Sequence, residues 1–156
     1  MNFLIKYFHK FANTLLRSAQ KLLNTATIGV QGIILNDNNQ VLLVQHTYQK
    51  GWYIPGGGVK AGEAVVDALL RELKEEIGLT VYSEPEFFGI YHNNYKGIND
   101  YPIVYVVRNF KLELAKSNEI ESMKWFSLEQ LPEDISPGTR RRINEYLSHK
   151  ARSKYW

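Results

Sequence analysis

The sequence predicts one mixed-sheet domain of the α/β or α+β class, preceded by an amphipathic helix. Three observations predict it. The chain has 156 residues, 44% of them hydrophobic, which suits a single domain with its own core. Runs rich in β-branched residues recur between turn signals, while helical periodicity is confined to a few segments. No internal repeat, low-complexity tract or linker divides the chain after the first segment. The expected division is therefore a helix over residues 1–24 and one domain over residues 25–156.

In chain order, Asn2 to Leu23 comes first. Leu4, Tyr7, Phe8, Phe11, Leu15 and Leu22 recur near helical spacing, with Lys6, Lys10, Arg17 and Lys21 elsewhere. Lys6, His9 and Lys10 break the apolar run that a secretory signal needs. Three roles are open for this helix: packing on its own domain or as a homodimer contact, peripheral contact with an anionic membrane surface, or organelle targeting. Strands are expected over Thr27 to Leu35 and Val41 to Val44, around the polar turn of residues 36–39. Residues 51–58, Gly-Trp-Tyr-Ile-Pro-Gly-Gly-Gly, read as a short aromatic strand running into glycines. A helix follows over Glu63 to Ile77, with Gly78 as its stop. Further strands are expected near Thr80 to Tyr82, Phe87 to His92, Pro102 to Phe110 and Ser122 to Phe126. A last helix begins near Pro137 to Thr139 and runs through Ile143 and Leu147.

Composition narrows the chemistry. With no cysteine, a disulfide scaffold, a thiolate zinc site and a cysteine nucleophile are excluded, and four scattered histidines offer no ligand spacing. Any bound metal must be held by oxygen. No apolar run approaches the roughly 18 residues of a membrane span, so a soluble, cytoplasmic protein is expected. The net charge of +3 is unevenly spread: residues 1–36 carry +4, residues 37–136 carry −6 and residues 137–156 carry +5. So acidic a middle argues against DNA or another nucleic acid as a partner coated by simple attraction. It suits divalent cations set between protein and an anionic substrate.

On a helical wheel, Val66, Leu69, Leu70, Leu73 and Ile77 share one side, which should bury. Glu72, Glu75 and Glu76 gather on another, and like charges at this spacing repel by a few tenths of a kcal/mol per pair, on the order of that size. Taken alone, such a cluster reads as a solvated acidic face. Its context changes that reading. Gly57, Glu63, Arg71, Glu72, Leu73, Glu75, Glu76, Gly78 and Leu79 match each specified position of G-x5-E-x7-R-E-U-x-E-E-x-G-U, where U is a bulky aliphatic. The segment resembles the Nudix box, and the chain is identified as a member of the Nudix hydrolase family. The strand Val41 to Val44, the entry Trp52 to Gly58 and the segment Trp125 to Pro132 are similar to that family too.

The resemblance implies an α/β/α sandwich with a mixed β-sheet. It also implies a hydrolase that uses Mg²⁺ or Mn²⁺ to cleave a pyrophosphate bond in a nucleoside diphosphate linked to another group. It further implies metal ligands at Glu72, Glu76 and the carbonyl of Gly56, with Glu75 acting directly or through water. Gly57 and Gly58 would let the backbone come close to substrate. Arg71 would pin a box glutamate or touch substrate, and Glu63 would be structural or approach the metal. The general base is left between Glu72 and an acid on a later loop, for which Glu119 stands ahead of Glu121 and Asp100.

Aromatic residues near the expected site, Trp52, Tyr53, Tyr91, Tyr95, Tyr101 and Tyr105, divide between core packing and stacking against a nucleotide base. Tyr53 and Tyr95 are the two carried forward as substrate contacts. His46 is read as a structural hydrogen-bonding residue or as a side chain aimed into the cleft. Arg140, Arg141 and Arg142 are read as a solvated helix face, with phosphate contact as the alternative. No proline stands about 16 residues beyond Leu79, where members that cleave ADP-ribose tend to place one; Tyr95 is there instead. By elimination the expected substrate is a nucleoside triphosphate, as in MutT-like members. The alternatives are a dinucleoside polyphosphate, a nucleotide sugar or ADP-ribose, and, in another class, a non-catalytic module that binds nucleotide or RNA.

Overall fold

The computed structural model describes residues 25–95, 97–113, 117–149 and 151–156; the amphipathic helix expected over Asn2 to Leu23 lies outside them. Strand β1 (Thr27–Ile34) is the centre of the principal sheet. It pairs antiparallel with the glycine strand β4 (Gly56–Gly58) on one side and parallel with the long strand β8 (Ile98–Val107) on the other. Strand β6 (Glu86–Ile90) and the short β7 (Asn93–Tyr95) pair antiparallel with β8, so the sheet is mixed. A second, antiparallel sheet has the order β10 (Ile120–Ser127), β2 (Gln40–His46), β3 (Gln49–Tyr53). A small pair joins β5 (Leu79–Val81) to β9 (Phe110–Leu112). A bridge between Leu35 and Val41 links the first sheet to the second.

The side-chain period of two sorts these strands into two cores. Val30 and Ile34 of β1, Leu42 and Val44 of β2 and Val107 of β8 face one way. There they meet Ala68, Leu69, Leu73 and Ile77 of helix α1 (Val65–Ile77). Ile33, Leu35, Val41, Leu43, Val104 and Val106 face the other way and meet Ile143 of helix α2 (Pro137–Ser148). Helices therefore cover opposite faces of the strands, which is the expected α/β/α sandwich. Strands buried on both faces are apolar without interruption, as residues 41–44 are.

Helix ends follow local chemistry. The Ser136 hydroxyl accepts from the Thr139 N–H at 3.3 Å, with Pro137 in the first turn of α2. α1 ends where Gly78 takes φ 70° and its N–H reaches the carbonyls of Leu73 and Lys74. Two expected members of the buried face of α1, Val66 and Leu70, are only half-buried, while Ala68 and Glu76 are buried. The stripe turned inward is centred on Leu69, Leu73 and Glu76, so Val66 and Leu70 lie at its margin.

Two strand expectations are corrected. Residues 51–58 are not one strand: β3 ends at Tyr53, and after Ile54-Pro55 the glycines join the other sheet as β4. The strand expected over Pro102 to Phe110 starts earlier, at Ile98, and stops at Val107, with Phe110 moving to a separate pairing with β5. Proline is tolerated inside β8 because its partner changes there. β7 pairs as far as Asp100 and β6 from Ile103, while the Pro102 carbonyl accepts from the Tyr91 N–H at 3.0 Å. The missing donor of Pro102 points to that same side, where the ladder is already broken.

Candidate active site

β4 and α1 meet edge to face, and glycine makes the approach feasible. The Gly56 N–H donates to Glu76 Oε2 at 3.2 Å. Gly56 takes φ +145°, and a Cβ there would stand 2.1 Å from the carbonyl oxygen of Val30. At Gly57 a Cβ would stand 2.4 Å from Cδ of Glu72. The Glu72 carboxylate thus occupies the space a side chain would need, and the two box elements are keyed to each other. Gly58 has open space instead, and its carbonyl accepts from Arg71 Nη2 at 3.0 Å.

Arg71 holds the loop to the helix. Its Nε and Nη2 grip the two oxygens of Glu63 at 2.7 and 2.9 Å, a two-pronged pairing, and its Nη1 donates to Glu72 Oε1 at 2.6 Å. A longer contact of 3.4 Å reaches Glu75 Oε2. The Arg71 hydrogen bonds, helped by the Lys60 N–H, hold the Glu63 carboxyl down to about 2. Arg71 is consequently directed at protein oxygens, and Glu63 serves as its anchor just before the helix begins.

Glu76 is in the opposite condition. It is 8% exposed, and burial, opposed by the Gly56 N–H and reinforced by the charges of Glu72, Glu119 and Glu75, pushes its carboxyl up to about 8. Such a site is short of positive charge. Its donors are hard oxygens, the carboxylates of Glu72, Glu75 and Glu76, a set that fits Mg²⁺ or Mn²⁺ in chemistry. Among the described residues, these groups do not yet converge as a closed shell of three acidic or imidazole ligands. Arg71 holds one oxygen of Glu72, and Glu75 is largely exposed.

Glu119 comes from the other sheet. It precedes β10, and its carbonyl accepts from the Thr47 N–H at 2.9 Å, which ties it to the tip of the β2–β3 hairpin. The charge of Glu119 acts on Glu76, His46 and Tyr48, which puts this acid within electrostatic reach of the box helix. Its rivals are placed differently: Asp100 accepts from the Thr27 hydroxyl at 2.6 Å, and Glu121 is exposed along β10.

Among the aromatics, Trp52 and Tyr91 are buried in the core on the α2 side, and Tyr105 packs half-buried against the core on the α1 side. Tyr53 is half-buried, with its hydroxyl donating to the Lys50 carbonyl at 2.9 Å and its ring 5.6 Å from that of His46. Tyr95 ends β7, paired with Ile98. His46 is buried, its Nδ1 has no hydrogen-bond partner among the described residues, and burial lowers its pKa against the opposing pull of Glu119. The arginine run is a solvated face only in part: Arg141 is exposed, but each of the three is committed to a protein acceptor. Arg140 donates to the Pro132 carbonyl at 2.8 Å and Arg141 to the Trp156 carbonyl. Arg142 is fully buried over the Tyr91 ring, bound to Glu145 and to the Tyr155 carbonyl. Tyr48 was not singled out in the sequence. It is 58% exposed beside the acidic groups, and a lone tyrosine in a hairpin turn carries no periodic signal.

Comparison with known proteins agrees with this geometry. The model of the NUDIX domain matches residues 25–146. A putative 8-oxo-dGTP diphosphatase from Bacillus subtilis is 30% identical over 77% of this chain and 79% of its own. An RNA pyrophosphohydrolase from Ruthia magnifica is 49% identical over 35% of this chain, but that match spans only 30% of the relative. Among solved structures, the MutT protein from Bacillus halodurans superposes with a TM-score of 0.67 at 26% identity, covering 81% of this chain and 84% of that one.

Proposed function

The chain belongs to the NUDIX family and is a Nudix pyrophosphohydrolase, and from that premise we propose that its substrate is a nucleoside triphosphate, held through Mg²⁺ or Mn²⁺ at the box glutamates. The observation that carries the reading is Glu76: a buried carboxylate bonded to Gly56, crowded by further acids and, among the described residues, given no cationic partner. Glu72, Glu76 and the Gly56 carbonyl would hold the cation, with Glu75 at the outer edge. A divalent cation held there would neutralise phosphate charge and lower the pKa of bound water, so that water could act as nucleophile near neutral pH. Arg71 and Glu63 keep α1 and the glycine strand in register, so that the carboxylates stay aimed at one point. Gly57 leaves the room that the Glu72 carboxylate fills, so the glycine strand lies close against the box helix. Glu119, reaching across from the second sheet, accepts the proton of the attacking water as the P–O–P bond opens.

A triphosphate is favoured over the alternatives because the Bacillus relative, described as a putative 8-oxo-dGTP diphosphatase, is aligned over most of both chains. The relative described as an RNA pyrophosphohydrolase shares a shorter stretch. Among the described residues no helix is long and apolar enough to cross a membrane. The test is a panel of ribo- and deoxynucleoside triphosphates, dinucleoside polyphosphates, nucleotide sugars, ADP-ribose and triphosphorylated RNA, with Mg²⁺ or Mn²⁺ and chromatographic separation of products. Fastest turnover of a triphosphate is expected. Preference for any other class would replace the triphosphate while leaving the hydrolase intact.

A further inference from the structure

The β2–β3 hairpin carries an exposed ring, Tyr48, within the electrostatic reach of Glu72, Glu76 and Glu119. Its tip is Thr47-Tyr48, between His46 and Gln49, which pair across the hairpin. Several bonds hold this tip in position. The Thr47 N–H and hydroxyl donate to the carbonyls of Glu119 and Asn118 at 2.9 and 3.3 Å. The Tyr53 hydroxyl bonds back to Lys50, and the Trp52 N–H donates to the Asp134 carbonyl at 3.2 Å. Gly51, at φ +98°, lies so close to that segment that a Cβ would stand 2.5 Å from the Asp134 carbonyl oxygen. The hairpin is thus anchored at its tip and along its second strand.

On this support Tyr48 stacks against His46, with ring centroids 5.0 Å apart and planes 28° from parallel. His46 is 7% exposed and Tyr48 is 58% exposed. One face of the tyrosine therefore rests on a buried ring and the other is open to solvent. Tyr53 packs against the same His46, so the three rings form one assembly. Other aromatic side chains as exposed as this, Tyr82, Phe87 and Tyr155, belong to the end of β5, the edge strand β6 and the C-terminal segment. Among the described residues Tyr48 is the one whose electrostatic surroundings include Glu72, Glu76 and Glu119; partial burial, and then their charges, push its phenol above the usual range. Leaving a large ring exposed wastes apolar area that burial would otherwise turn into stability. A ring already fixed on a rigid hairpin loses little freedom when a flat ligand covers it.

We propose that Tyr48, backed by His46, is the platform on which the base of the nucleotide stacks while its phosphates lie at the box glutamates. The proposal rests on the nucleotide reading above and deepens it. The carboxylate cluster and its cation recognise phosphates alone, which every polyphosphate shares. Tyr48 supplies what they lack: preference for a substrate that carries a base. Stacking tolerates any base, because each has a π-face, so Tyr48 favours nucleotides over base-free polyphosphates and discriminates weakly among bases. His46 acts through Tyr48 as a positioning residue.

The experiment compares wild type with Tyr48→Ala and Tyr48→Phe by calorimetry in Mg²⁺. The probes are a non-hydrolysable nucleoside triphosphate analogue and inorganic tripolyphosphate. Tyr48→Ala should weaken the analogue about ten- to a hundredfold and leave tripolyphosphate unchanged, and Tyr48→Phe should bind both as wild type does. In turnover, the loss should fall on KM and leave kcat near its original value. Equal weakening of both probes, or weakening of neither, would overturn the platform. A wild type that binds tripolyphosphate as tightly as the nucleotide would also overturn it while sparing the metal centre. Binding of neither probe by wild type would remove the nucleotide reading and the platform together.

Discussion

Glycine 57 shows how much of the site is decided by single atoms. Its absent Cβ is the space in which the Glu72 carboxylate sits, at a distance of 2.4 Å that no real side chain tolerates. Gly57→Ala should therefore push Glu72 off the site and cut turnover about a hundredfold or more, the loss expected when a catalytic group is misplaced by about an ångström. Gly58→Ala meets no atom within 4 Å and should leave most activity in place. Initial rates of the two variants, side by side, check the contrast. At this scale the pattern of residues 57–79 made Glu72, Glu75 and Glu76 legible through its resemblance to the Nudix box, because the acidic cluster alone reads as a solvated face. Tyr48 was not legible, since nothing local distinguishes a stacked, solvent-facing tyrosine from any other in a turn. The commitments of Arg140, Arg141 and Arg142 were hidden for a related reason: their acceptors are carbonyls brought near only by folding.

Helix α1 is amphipathic in an unusual sense, because its buried stripe includes a carboxylate. Leu69 and Leu73 are fully buried against β1 and β2, while Leu70 lies at the margin. Leu73→Ala should cost about 2–5 kcal/mol of unfolding free energy, and Leu70→Ala markedly less. Urea denaturation followed by tryptophan fluorescence measures both, and equal costs would contradict the packing described. The helix and most strands were legible from hydrophobic period and from Gly78 and Pro137 as boundaries. What was not legible was where one strand ends because its neighbour changes. Pro102 looked like a strand start, yet it lies inside β8 at the junction of two partners. Likewise Tyr53 and Gly56 belong to different sheets although two residues part them.

Across the whole molecule, two carboxylates of the box pull stability in opposite directions with pH. Glu63 is depressed to about 2, so its contribution is present above its ordinary 4.5 and is lost as pH falls toward 2. Glu76 is raised to about 8, so its contribution is full below 4.5 and is lost as pH rises toward 8. For the metal-free protein these two groups favour a Tm that declines between pH 4.5 and 8. Mg²⁺ or Mn²⁺ should reverse that decline at the alkaline end, because an ion that binds only the folded chain stabilises it and takes the place of the proton on Glu76. Thermal melts at pH 5, 6.5 and 8, with and without the ion, read this directly; a gain from the ion that is larger at pH 5 than at pH 8 would count against it. The sandwich architecture itself follows from the two-way alternation in β1, β2 and β8, which gives each helix its own core.

The most direct test of the metal centre is titration of Mn²⁺ into the intact chain and into Glu76→Gln at pH 8, in the presence of a non-hydrolysable nucleotide. A bound ion is expected in the wild type. In the variant, which keeps size but loses the buried ligand charge, binding should be at least about a hundredfold weaker with the fold unchanged. Equal affinity in both proteins, or no bound ion in the wild type, would contradict it.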